Sequence, residues 1–133
     1  VSNVVSIGAL ARREPNIPGA YRDQAKQALA TVDHVALGLT PDGYRPFAHA
    51  FNVDEIATAI MFLQLGPISG KHGSYTLKHY AENWGKLLGF SAYIPNGALI
   101  LAALYLRLKV KPYGGRNPNA EITIPKNTGN DLL

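Results

Sequence analysis

Cations spread through the second half of the chain are the residues whose pattern most suggests chemistry. Residues 66–126 carry Lys71, Lys78, Lys86, Arg107, Lys109, Lys111, Arg116 and Lys126, opposed only by Glu82 and Glu121. Residues 1–65 are close to even, with five Lys and Arg against six acids. A stretch with that surplus attracts anions, and long flexible cations are what phosphate contacts require. Tyr75, Tyr80, Tyr93 and Tyr113 interleave with the cations and can stack on bases or donate hydrogen bonds. The leading expectation is a small basic nucleic-acid-binding protein, for DNA or RNA, working mainly through phosphate. Its anion contacts would be Lys71, His72, Ser74, Lys78, Lys86, Arg107, Lys109, Lys111 and Arg116. The competing reading of the same charges is a solubilising surface.

Other chemistries find less support. The run Gly66-Pro67-Ile68-Ser69-Gly70-Lys71 resembles a phosphate loop but is one residue short between its glycines. His72 follows where Ser or Thr belongs, and a helix rather than a strand precedes it, so a flexible linker is the better reading. Free amides over 73–76, at the start of a helix beside Lys71 and His72, could still hold one anion. Four histidines, His34, His49, His72 and His79, show no metal-ligand spacing. His79 and Glu82 form the one local acid-base pair. Ser69, Ser74 and Ser91 sit in no nucleophile elbow, and no cysteine exists to supply a thiolate or a zinc site. No catalytic residue, metal or cofactor is therefore expected, and an enzyme is unsupported.

Two readings of other classes remain. An aromatic pocket between the third and fourth helices, with Tyr75, Tyr80, Trp84 and Tyr93 at hand, would take a small molecule. The competing view keeps Tyr80 and Trp84 in the core with their polar tips at its edge. Alternatively the termini act as assembly arms that build a homo-oligomer. Val4, Val5, Ile7 and Leu10 at one end and Leu132 and Leu133 at the other are apolar where chain ends are usually frayed.

The elements that must position these groups follow from composition and periodicity. A chain of 133 residues with 47% apolar and 17% charged residues suits one globular domain over 1–133. The longest apolar run, 98–106, is far below the ~20 residues a bilayer requires. No basic n-region precedes the mildly apolar start, and cysteine is absent, so a soluble cytoplasmic protein without membrane contact is expected.

Residues 1–17 read as an extended arm, partly strand-like, and 20–31 as a helix of good helix formers behind Pro18. Residues 34–40 are either a short strand or the tail of that helix, before the turn Pro41-Asp42-Gly43. Asn52, with Glu55 three residues on, starts a second helix over 53–65, which Gly66-Pro67 stops. Residues 68–73 form a linker. Ser74 caps a third helix to about Leu88, with Leu77, Tyr80, Ala81, Trp84, Leu87 and Leu88 as its apolar stripe. Pro95-Asn96-Gly97 opens a fourth helix over 98–108, apolar nearly all round and therefore buried. Its alternating end, Leu106 to Lys111, either faces solvent or turns into a strand. Residues 120–124 alternate as a short strand, and 126–133 are a polar tail. The predicted fold is mainly α: a compact bundle of about four helices around the buried helix 98–108, with minor β elements near the termini. Helices three and four are compatible with a helix-turn-helix, although the 88–96 connection is long for one and helix four is too apolar to read a groove.

Overall fold

The computed structural model describes residues 17–90 and 93–126. The arm read over 1–17 therefore lies outside the described residues except for Ile17, and the tail over 126–133 except for Lys126. The described chain runs α1 (Gly19–Thr31), α2 (His34–Leu37), α3 (Val53–Leu65), β1 (Gly70–Gly73), α4 (Ser74–Leu87), α5 (Asn96–Tyr105), β2 (Lys109–Pro112) and β3 (Ala120–Ile124). About half of these residues are helical, so the protein is mainly α. The β component is larger than minor terminal strands, because β1, β3 and β2 join in that order as one antiparallel three-stranded sheet.

Two helices, not one, share the interior. On α5 every residue from Ala98 to Ala103 is fully buried, as its apolar circumference requires. On α3 the eight consecutive residues from Ile56 to Leu63 are buried as well. Ala57, Thr58 and Ala59 make this possible, since short side chains let neighbouring helices come close. Thr58 satisfies its hydroxyl locally by donating to the Asp54 carbonyl at 3.0 Å. Helix α1 packs on α3 and α5 through Ala25 and Ala28, and α4 packs on α3 and α5 through Leu77 and Ala81.

Several boundaries depart from the sequence reading, each for a local reason. Residues 34–37 form one helical turn rather than a strand, capped by Asp33, whose carboxylate accepts from the Ala36 N–H. Gly38, at φ +69°, closes that turn in the left-handed conformation. Asn52 caps α3 as expected, accepting from the Glu55 N–H at 3.1 Å. Ser74 does not cap α4: Gly73 occupies the N-cap position, and the Ser74 hydroxyl accepts the buried Ala120 N–H at 3.0 Å instead. The stripe of α4 is narrower than predicted, with Tyr80, Leu87 and Leu88 exposed.

Helix α5 stops at Tyr105, short of the predicted Leu108. Arg107 takes φ +61°, its N–H bonds the Leu104 carbonyl, and the Leu108 N–H bonds the Ala103 carbonyl. That is a Schellman closure, built on an arginine where glycine is usual, so the sequence offers no stop signal there. At its other end α5 is clamped by the 40–43 turn. A Cβ on Gly97 would overlap the Thr40 carbonyl, and the Gly97 N–H donates to the Pro41 carbonyl.

Candidate nucleic-acid interface

The sheet has an inner and an outer face because β3 alternates. Ala120, Ile122 and Ile124 are buried against the helices, which turns Glu121 and Thr123 outward. Residues directly opposite in an antiparallel ladder share a face, so the register decides what joins them. Lys71 of β1 and Lys109 of β2 both pair with Thr123. In the next outward row Gly73 and Lys111 flank Glu121. Val110, between the two β2 lysines, points inward against the core. Lys71, Lys109 and Lys111 are exposed, and among the described residues none of them is ion-paired. Lys71 thus shares a face with two cations about forty residues later, Lys71 and Lys109 being about 10 Å apart across two strand spacings.

Tyr113 extends the same face. Its N–H continues the ladder to the Asn119 carbonyl at 3.2 Å. Its hydroxyl reaches β1, lying 3.3 Å from where a Cβ on Gly73 would stand. The side chain therefore crosses the outer face on the Glu121 side, over the gap the glycine leaves, and it remains about half exposed, at 52%.

The other predicted contacts are placed elsewhere. Lys78 is buried, its Nζ 3.1 Å from Glu82 Oε2 and over the rings of Tyr93 and Tyr75, 5.0 and 5.6 Å from their centroids. Glu82 also accepts the Ile94 N–H at 2.9 Å and sits 3.2 Å from His79 Nδ1. This cluster ties the start of α5 to α4 and engages Lys78 within the fold, away from the sheet lysines. Ser74 is fully buried and committed to Ala120. His72 pairs with Ile122, and its Nε2 meets the Ser69 carbonyl at 2.7 Å. Lys86 is exposed in the last turn of α4, about 18 Å along the helix from its sheet end. Arg107 is exposed at the corner between α5 and β2, and Arg116 is exposed in the turn joining β2 to β3. Helix α5, buried throughout its middle, has no face to present to a DNA groove.

The aromatic residues divide into two sets rather than lining one pocket. Tyr75 and Tyr93 flank Lys78. Tyr80 and Trp84 line an apolar groove of about 350 Å³ with Phe62, Pro67, Ile68, Asn83 and Leu87. There Trp84 meets Phe62 edge-on at 5.8 Å between centroids. Two further grooves, of about 480 and 360 Å³, adjoin at His34, Leu39 and Thr40 near α2. Tyr44 lines the first of these, and burial pushes its phenol pKa up. Among the described residues no three His, Asp or Glu side chains gather, and no helix is long and apolar enough to cross a membrane.

No protein-family model, curated protein or solved structure matches the chain. Sequence reasoning named the three sheet lysines but missed Glu121 and Thr123 as their neighbours. The signal was present as period-two alternation in Lys109-Val110-Lys111 and over 120–124. What the sequence did not show was that β1, predicted as a linker, pairs with the last strand.

Proposed function

We propose that this is a nucleic-acid-binding protein whose phosphate contacts are made by the outer face of the sheet. The observation that carries the reading is the register, which sets Lys71 and Lys109 on either side of Thr123 and Lys111 beside Glu121 in the next row, with none of the three lysines in a salt bridge among the described residues. Arg116, in the adjoining turn, and Tyr113 lie next to them in the chain and supply further reach. We place this activity in the cytoplasm. Lys78 and Ser74 drop out of the contact set because Glu82 and the Ala120 N–H engage them, and His72 because it lies on the Ile122 side of the sheet.

The test is titration of a labelled oligonucleotide at several salt concentrations. Three engaged phosphates give a slope of log affinity against log salt of about −2 for a single strand. The variant Lys71→Glu/Lys109→Glu/Lys111→Glu should abolish measurable binding, whereas Lys86→Glu, far along α4, should retain it. Equal binding by wild type and the triple variant would overturn the proposal.

A further inference from the structure

Resting on that reading, we infer that the ligand is single-stranded, with one base lying on Tyr113 and that base's edge read by Glu121. A face that met phosphate alone would gain from being uniformly cationic. This one instead places Glu121 directly between Gly73 and Lys111, one row from Lys71, Thr123 and Lys109. A carboxylate repels phosphate but accepts hydrogen bonds from the amino groups of bases. Tyr113 lies beside it and offers an exposed aromatic surface. Its hydroxyl end is seated where Gly73 has no side chain, so the ring is held across the face rather than swinging free.

Stacking platforms interleaved with cations suit strands whose bases are already unstacked. In a duplex those ring faces and Watson–Crick edges are occupied. The sheet also lacks the reach for a groove: its outer face spans two strand spacings, about 10 Å, by a strand of about four residues, some 13 Å. That area accommodates two or three nucleotides. Lysines on both edge strands then hold the backbone on either side of a base centred on β3.

Base choice follows from the carboxylate. Cytosine presents an exocyclic amino group, whereas the imide N–H of uracil is flanked by two carbonyls that repel Glu121. The two pyrimidines offer similar stacking areas, which isolates the edge contact.

The experiment measures binding of short oligocytidine, oligouridine and a mixed-sequence duplex to wild type and three variants. Wild type should bind single strands more tightly than duplex and oligocytidine about 5-fold more tightly than oligouridine, the low end of one base contact. Tyr113→Ala should weaken single-strand binding by about 5-fold or more, while Tyr113→Phe, which keeps the ring, should retain it. Glu121→Gln should reduce the cytosine preference without lowering the salt slope. Lysine-dependent binding that favours duplex, or that ignores both Tyr113→Ala and Glu121→Gln, overturns this inference and leaves the phosphate-binding reading standing. Absence of lysine-dependent binding to any of the three ligands overturns both.

Discussion

Replacing Lys78 by methionine separates a structural cation from a binding one. Its side chain is 10% exposed and that of Glu82 13%, with 3.1 Å between Nζ and Oε2. Removing one partner of a well-buried ion pair costs about 3–5 kcal/mol, because the other charge is left uncompensated. Two features here reduce that figure. Glu82 keeps the Ile94 N–H and the more exposed His79, and methionine retains most of the packing against Tyr75 and Tyr93. The net cost of Lys78→Met is then about 2–3 kcal/mol, which for a domain of this size lowers the melting temperature by roughly 10 °C. In the double variant Lys78→Met/Glu82→Gln the stranded charge is gone while the Ile94 N–H keeps an acceptor, so about half of the loss should return. Differential scanning calorimetry and urea titration measure the stability, and the salt dependence of oligonucleotide binding measures the other role. Lys78→Met should leave that slope unchanged. Stability within about 0.5 kcal/mol of wild type, together with a slope reduced by about 0.7, would refute the reasoning and make Lys78 a phosphate contact.

Two further perturbations probe the scaffold. Ser74→Ala removes the acceptor of the fully buried Ala120 N–H and should cost about 1–3 kcal/mol in urea unfolding, with faster exchange of the Ala120 amide; unchanged exchange would show that the hydroxyl is not the strut between α4 and β3. Burial pushes the Glu55 carboxyl pKa up, so the folded protein holds that proton to a higher pH than the unfolded chain does. The stability this group contributes is complete below the ordinary carboxyl range and is lost as pH rises through the raised folded value. Glu55→Gln should therefore gain stability relative to wild type on going from about pH 3.5 to neutral pH, and a difference that does not move with pH would contradict the assignment.

Much of the helical framework was legible in residue order because its signals are local. Asn52 and Glu55 mark the start of α3, Gly66-Pro67 its stop, and the apolar circumference of 98–103 announces burial without reference to any partner. The same locality explains the errors. Arg107 in the left-handed conformation ends α5 although arginine carries no such signal, and 68–73 reads as a linker because Gly70-Lys71-His72-Gly73 has too little β character to declare a strand. That segment becomes β1 only because β3, nearly fifty residues later, offers it a ladder.

The cationic character of residues 66–126 was determined by the sequence alone, but which cations stand together was not. Charge is a property of each residue, whereas adjacency depends on strand register, and a one-residue shift in register would send Lys71, Lys109 and Lys111 to the buried side. Tertiary structure also decided the surroundings of Ser74 and Lys78: the Ala120 amide that Ser74 accepts lies 46 positions away, and although Glu82 is only one helical turn from Lys78, packing is what buries that pair. It gave Tyr113 its position across β1 through a missing side chain at Gly73, a contact between residues forty positions apart.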